Sequence, residues 1–124
     1  MVEDVFAVTR ESLHDGGWLM VLRGVVDLFT APELKNALAE ALASAPNRIV
    51  VDLRGVTVLD SSGLAAIVGA HRRLVHTGGT LDIVVGDHGT ALKFKVTGLD
   101  QLMRIWTAPP PVPVPASRVA VPRR

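Results

Sequence analysis

Hydrophobic and polar positions recur along residues 5–106 in patterns that predict alternating strands and helices. Residues 5–10 and 18–26 are predicted strands, separated by a turn at residues 14–17. A nearly continuous apolar run at residues 49–53 is typical of a strand that is covered on both faces. A further strand is predicted at residues 80–85, so four predicted strands are spread over residues 5–85.

Helical spacing separates these strands. Thr30 and Glu33 resemble a capping box, and the helix that they begin is predicted to stop at residues 44–46. A second helix is predicted over residues 61–77, and residues 90–96 and 100–105 predict one or two short closing helices. This order of elements indicates an α/β sandwich in which the strands at residues 49–53 and 80–85 are parallel and joined by a right-handed crossover.

The end of the chain has a different composition. Six of the eight prolines lie in residues 109–124, where they favour polyproline II and prevent a helix. We therefore assign residues 1–107 to one folded domain and residues 108–124 to a Pro-rich tail that is disordered or extended. A Pro-x-x-Pro match from Pro110 to Pro113 leaves open that the tail is a ligand for a partner.

Composition excludes several kinds of function. The 124 residues contain no cysteine, which excludes disulfides, thiolate nucleophiles and iron–sulfur clusters. Residues 1–108 carry 10 Lys and Arg against 12 Asp and Glu, a net charge of −2 that suits nucleic acid poorly. The acidic first residues do not form a signal peptide, and no segment approaches the roughly 20 apolar residues of a membrane helix. We expect a cytoplasmic protein that binds neither membrane nor nucleic acid.

Catalytic and metal-binding patterns are also missing from the sequence. The four histidines are not spaced as a metal site, and there is neither a Gly-x-Ser-x-Gly elbow nor a Walker A loop. We therefore predict a protein that is not an enzyme and that uses no cofactor or metal.

One segment could carry a function, namely residues 58–64, between the central strand and the second helix. Open α/β sheets place their functional sites at the carboxyl ends of strands, and helix N-termini bind anions readily. The simplest interpretation is that Asp60 or Ser61 is the N-cap of the helix. The alternative is that Ser61 carries an anion there, and local physics leaves both open.

Four segments together resemble STAS domains, and in particular the bacterial anti-sigma factor antagonists. The segments occur in the same order and at similar spacing as in that family, and they are residues 24–31, 49–56, 60–64 and 96–100. The resemblance implies a STAS-like mixed β-sheet of about four to five strands with helices packed against it.

The resemblance also implies a phosphorylation switch. In that family, the serine after the loop aspartate is phosphorylated by an anti-sigma factor that is also an ATP-dependent serine kinase, and a separate phosphatase reverses the modification. Carried over, the phosphorylated residue is Ser61. The unphosphorylated form binds the anti-sigma factor and frees a sigma factor, whereas phosphorylation ends the binding.

The predicted partner-binding residues come from three sources. The resemblance contributes Asp27 and the loop residues. Small residues opposite the apolar side of the second helix would allow close approach, and two arginines would meet acid on the partner. The full set is Asp27, Asp60, Ser61, Ser62, Gly63, Ala65, Ala66, Gly69, Arg72 and Arg73.

Each of these assignments has an alternative. Asp27 could cap a turn. The small residues of the second helix could pack against the protein's own sheet, and these are Ala65, Ala66, Gly69 and Ala70. Asp52, in the central strand, is assigned a structural role. The chain as a whole could instead be a non-switching STAS adaptor subunit of a stress-signalling or transport complex. A third and weaker hypothesis is nucleotide binding or hydrolysis at residues 60–63.

Overall fold

A computed structural model describes residues 5–107 and the backbone of residues 115–120. The elements in chain order are β1 (Ala7–Leu13), β2 (Trp18–Val26), α1 (Ala31–Leu42), β3 (Arg48–Leu59), α2 (Ser61–His76), β4 (Thr80–Val84), α3 (His88–Val96), a 3-10 turn (Leu99–Gln101), β5 (Arg104–Trp106) and β6 (Pro115–Ala120).

The strands form one mixed sheet in the order β5-β4-β3-β2-β1-β6. Strands β2 to β5 are mutually parallel, and β1 is antiparallel to both β2 and β6. The predicted α/β architecture is therefore confirmed, including the parallel pair β3 and β4 that α2 connects. The sheet has six strands where four to five were expected, because β5 and β6 were not predicted.

Strand β5 replaces the end of a predicted helix. Residues 100–105 were expected to close the domain as a helix, but only a 3-10 turn forms, and Arg104–Trp106 pairs with β4. The open edge of β4 supplies the reason, since Val85 N–H donates to the Trp106 carbonyl (2.8 Å) beyond the last ladder pair. The helix propensity of three residues is too weak to compete with backbone pairing at the edge of β4.

Strand β6 lies in the segment that the sequence analysis placed in the tail. Its backbone pairs with β1, with Ala120 opposite Thr9 and Pro115 opposite Leu13. These six residues are extended, and they lengthen the sheet at the β1 edge. The remainder of the predicted tail, including the Pro-x-x-Pro match, lies outside the described residues.

The main core lies between the sheet and the helices α1 and α2. Fully buried side chains of α1 and α2, such as Leu34, Ile67 and Leu74, pack onto Ile49 and Val51 of the central strand. Phe94 of α3 and Met103 close the same core at its β4 side. Burying one such side chain stabilises the fold by about 1.5–3 kcal/mol, so this layer fixes the position of α2 against β3.

Candidate partner-binding site

Two loops meet where β2 and β3 end. The strands are parallel and their last partners are Val26 and Leu59, so the chain leaves both strands at the same edge of the sheet. The Asp60 N–H donates to the Val26 carbonyl (3.1 Å), which ties the second loop to the first. The sheet topology thus brings Asp27 and Asp60 together, although they are far apart in sequence.

Asp60 is the N-cap of α2. Its Oδ1 accepts hydrogen bonds from the Ser62 N–H (2.8 Å) and the Gly63 N–H (3.2 Å). Ser61 is the first helical residue, is exposed, and its hydroxyl has no hydrogen-bond partner among the residues that the structure describes. Of the two capping alternatives, the structure therefore selects Asp60, and the hydroxyl of Ser61 is left available.

We expect Asp60→Ala to lower the free energy of unfolding by about 1 kcal/mol, because two helix N–H groups lose their acceptor. Ser61→Ala is the matched control and should change stability by less than about 0.5 kcal/mol, since it removes no cap. Urea denaturation followed by circular dichroism measures both. An equal loss in the two variants would contradict the assignment of Asp60 as the cap.

The loop from Asp27 to Thr30 is a hydrogen-bonded turn. Asp27 Oδ1 accepts from the Phe29 N–H (2.9 Å) and the Thr30 N–H (3.1 Å), as the turn-capping alternative for Asp27 requires. The predicted capping box is wrong, because Thr30 Oγ1 donates to the Val25 carbonyl and accepts from the Asp27 N–H, both at 2.9 Å. Thr30 thus fastens the loop to the end of β2 and makes no side-chain cap on α1.

Two apolar side chains in this turn were missed by the sequence analysis. Leu28 and Phe29 are 67% and 87% exposed, and they lie in the loop beside the start of α2. A lone exposed apolar residue needs no explanation, but an adjacent pair at a loop tip is a feature of binding surfaces. The signal in the sequence that could have indicated them is their position, because two large apolar residues stand between a strand and a helix cap.

The exposed side of α2 continues from Ser61. Ser61, Ala65, Gly69 and Arg72 follow at spacings of four, four and three residues, which places them along one side of the helix, and all four are exposed. Arg73 is exposed beside them. We call these five residues the α2 stripe.

The other small residues of α2 do not lie on this surface. Ala66 and Ala70 are 5% and 4% exposed and belong to the core, so their predicted placement on the exposed side of the helix is wrong, although both line the groove between α1 and α2. Gly63 is also buried, and a Cβ at this position would lie 2.6 Å from Val26 Cγ1 and 2.7 Å from Leu59 Cδ1. Its role is to let α2 begin close to β2 and β3. Ser62 is half-buried at the same turn.

A groove of about 320 Å³ runs between α1 and α2 along the α2 stripe. Ala39 and Leu42 of α1 and Ala65 of α2 contribute to its walls, and Lys35 and Arg73 add positive charge. The groove exists because the alanines of α2 fill less of the space between the helices than larger side chains would. It is a shallow surface with an apolar floor and two basic side chains.

Lys93 of α3 adds a positive charge near the start of α2, and the sequence analysis did not single it out. Its Nζ donates to the Leu59 carbonyl (2.6 Å), two residues before Ser61. Asp87 caps α3, and the hydrogen bond from the Thr90 N–H lowers the pKa of this aspartate, so it stays charged at neutral pH. The cap fixes the helix that carries Lys93.

Asp52 has the structural role that was predicted for it. It is 6% exposed, and its carboxylate accepts from Arg54 Nε (3.0 Å) and Arg54 Nη2 (2.8 Å). These bonds raise the pKa of the Arg54 guanidinium. The partner of Asp52 is therefore a residue of the same strand.

In the part of the chain that the structure describes, no three His, Cys, Asp or Glu side chains are grouped as a metal site would require. Likewise, no described helix has the length and apolar character needed to cross a bilayer.

The fold and this edge of the sheet identify the class of protein. A family model described as "Mlab, STAS domain" matches residues 9–105, which include all of the site. The chain belongs to the STAS domain family.

Similar proteins within this family include anti-sigma factor antagonists. The chain is 29% identical over 92 residues to the anti-sigma-B factor antagonist of Staphylococcus epidermidis, covering 74% of this chain and 85% of the relative. A crystal structure of an anti-sigma factor antagonist from Mycobacterium paratuberculosis is 28% identical, with a TM-score of 0.77, and the alignment covers 86% of this chain and 90% of that one.

Two structures of SpoIIAA share the same fold. The unphosphorylated anti-sigma factor antagonist is 20% identical with a TM-score of 0.68, and the alignment covers 82% of this chain and 87% of that one. The phosphorylated form, from Bacillus, is 19% identical with a TM-score of 0.64 and coverages of 82% and 90%.

Proposed function

We propose that this chain is an anti-sigma factor antagonist that is switched by phosphorylation of Ser61. The unphosphorylated form binds an anti-sigma factor that is also a serine kinase, and this binding frees a sigma factor. One observation carries the proposal: Ser61 is the exposed first residue of α2, while the capping role at this helix start is filled by Asp60. Modification of Ser61 therefore costs the fold no cap.

The electrostatics of the helix start favour a phosphate on Ser61. A phosphoserine adds about −1.5 to −2 charges at neutral pH, and a helix N-terminus stabilises a nearby negative charge by about 0.3–2 kcal/mol. Lys93, held on the Leu59 carbonyl, supplies a further positive charge close by. These groups offset repulsion from Asp60, so we expect the phosphorylated chain to stay folded.

The surface around Ser61 has the chemistry of a protein-binding site. Leu28 and Phe29 are exposed on one side of the helix start, and the α2 stripe extends on the other. Close approach at Ala65 and Gly69 would bring a partner's acidic groups within reach of Arg72 and Arg73. Asp27 holds the loop that carries the two apolar residues, so its contribution is to position them.

This surface explains how the switch would work. A partner that covers Ser61 buries whatever the serine carries, and a doubly charged group that becomes buried next to partner acid costs several kcal/mol. Each 1.4 kcal/mol lowers affinity about tenfold, so the loss at the interface exceeds the small gain at the helix start. Phosphorylation would then end binding without unfolding the chain, and a phosphatase would restore it.

The relatives support this function over the adaptor alternative. The curated relative and the structural neighbour described above are named anti-sigma factor antagonists, and SpoIIAA has been solved with and without its phosphate. We extend to this chain the role of a regulatory binding protein that has no catalysis of its own and acts in the cytoplasm.

Co-purification from the source organism, combined with phosphorylation in the lysate, tests the proposal. Wild-type bait should recover an anti-sigma factor with kinase activity, and γ-labelled ATP should then label the bait on Ser61, as located by mass spectrometry. Ser61→Ala should abolish the label, whereas Ser62→Ala, the matched control one residue along, should retain it. Equal labelling of the wild-type and Ser61→Ala baits would refute the site, and recovery of transporter subunits by every bait would favour the adaptor.

A further inference from the structure

The groove between α1 and α2 runs along both helices. On α1 its lining residues recur from Lys35 to Leu42 at the spacing of one helix face, and on α2 they recur in the same way from Ala65 to Arg73. The eight residue steps from Ala65 to Arg73 rise about 12 Å. The groove is therefore elongated, about two helical turns long, and both of its walls are helices.

The floor of the groove is apolar and belongs to the core. Leu38 of α1 and the α2 residues Ala66 and Ala70 line it, and they are 2%, 5% and 4% exposed. Above the floor, Ala65 and Gly69 are exposed, and nothing lies within 4 Å of a Cβ at Gly69. An apolar strip that is open between two helices has the shape into which the side-chain ridge of a third helix packs.

The charge of the groove contrasts with that of the domain. Residues 1–108 carry a net charge of −2, yet the charged side chains that line the groove among the described residues are Lys35 and Arg73. In the part of the chain that the structure describes, no carboxylate lies within 4 Å of either cation. Arg73 suits the last turn of α2, where the helix dipole favours a cation, whereas Lys35 lies towards the start of α1. Both charges are available to an acidic partner.

The sheet topology places these two cations at opposite ends of the groove. Helix α1 connects β2 to β3, α2 connects β3 to β4, and the three strands are parallel, so the two helices run in the same direction. Lys35 is the fifth residue of α1 and Ala65 is the fifth residue of α2, which sets Lys35 at the end nearest Ser61. Arg73 lies two turns further along. A partner that neutralises both cations needs acidic groups about 12 Å apart.

We propose that the groove binds an amphipathic helix of the anti-sigma factor, which carries acidic side chains about two turns apart and an apolar strip between them. The identity of this partner rests on the proposed function. Apolar residues at i, i+3, i+4 and i+7 of such a helix would lie on the floor, and the acids would meet Lys35 and Arg73. An extended segment would cross the same length with about four residues and place only two side chains on the floor.

This arrangement specifies the charge that phosphorylation opposes. Ser61 lies one helical turn before Ala65, about 6 Å along the axis of α2. A phosphate on Ser61 therefore lies beside the end of the groove at which Lys35 attracts an acidic side chain, and it repels that acid. The groove also adds α1 to the residues that determine which partner binds.

Charge reversal on α1 tests the inference, because Lys35 belongs neither to the α2 stripe nor to the loop of Asp27. Isothermal titration measures the affinity of the full-length chain for the purified anti-sigma factor. Lys35→Glu should weaken binding at least tenfold, since a like charge then faces the partner's acid. Gly69→Leu should also weaken it at least tenfold, because the side chain fills the groove without a change of charge. Glutamate and leucine are good helix formers, so both variants should keep the wild-type circular dichroism spectrum.

Arg104→Glu is the matched control for charge. Arg104 is exposed on the edge strand β5, which β4 separates from β3. This variant should bind the anti-sigma factor within about twofold of the wild type, because the reversed charge lies away from the groove. Wild-type affinity in Lys35→Glu or in Gly69→Leu would overturn the groove as a docking site and leave the switch at Ser61 in place.

A second measurement does not depend on the anti-sigma factor. If the wild-type chain binds no anti-sigma factor, the proposed function fails, and peptide selection decides the groove. Peptides of about 18 residues, long enough to form a helix, are selected from a random library on the immobilised full-length chain. The selected peptides should be acidic and amphipathic, and they should lose at least tenfold in affinity for Lys35→Glu but not for Arg104→Glu. A selection without such peptides would overturn the inference.

Discussion

Ser61→Asp should weaken binding of the anti-sigma factor at least a hundredfold, which corresponds to about 2.8 kcal/mol. The substitution places a permanent negative charge at the exposed start of α2, where the proposed interface covers it. Stability should change little, because Asp60 keeps its hydrogen bonds to the Ser62 and Gly63 N–H groups and the helix dipole favours the added charge. Isothermal titration against the purified partner measures the affinity.

Two variants separate charge from shape in this experiment. Ser61→Asn has nearly the same size as the aspartate without its charge, and should lose less than tenfold in affinity. Thr80→Asp places the same charge at the exposed first residue of β4, at the opposite edge of the sheet from the proposed interface, and should bind like the wild type. If the asparagine variant lost as much affinity as the aspartate variant, steric exclusion would replace electrostatic repulsion as the mechanism.

Gly63→Ala should lower the free energy of unfolding by about 1–3 kcal/mol, despite the higher helix propensity of alanine. The new methyl would lie 2.6 Å from Val26 Cγ1 and 2.7 Å from Leu59 Cδ1, and both neighbours are themselves buried, so the start of α2 must move outward. That movement displaces Ser61 relative to the loop of Leu28 and Phe29. We therefore expect slower phosphorylation of Ser61 as well.

Gly69→Ala in the same helix is the matched control. Nothing lies within 4 Å of a Cβ at this position, so alanine should raise the free energy of unfolding by about 0.5–1 kcal/mol. Urea denaturation of the two variants under identical conditions gives the comparison. A rise in both variants would show that α2 does not need close contact with β2 and β3 at its first turn.

Several features of the site could be predicted from the sequence because they are local. The adjacent residues Asp60 and Ser61 predict the start of a helix. Helical spacing alone puts Ser61, Ala65 and Arg72 on one side of that helix. The same locality explains the failures. Thr30 and Glu33 fit the capping box by spacing, yet Thr30 Oγ1 is used by Val25 and Asp27, contacts that no helix pattern encodes.

The sequence alone could not predict which small residues of α2 are exposed to a partner. Ala65 and Ala66 are equally small and adjacent, and α1 packs so that one is exposed and the other is buried. The distinction depends on the angle at which two amphipathic helices meet, which follows from the packing of many side chains together.

The sequence by itself determined the class of fold and the order of the main elements, because hydrophobic periodicity and helix caps are written in neighbouring residues. Tertiary structure alone decided that β2 lies beside β3 as a parallel neighbour, that β5 and β6 form the two edges of the sheet, and that the loops of Asp27 and Asp60 meet. The physical reason is that pairing and burial join residues distant along the chain, and the free backbone groups of a sheet edge can recruit segments whose own propensity is weak.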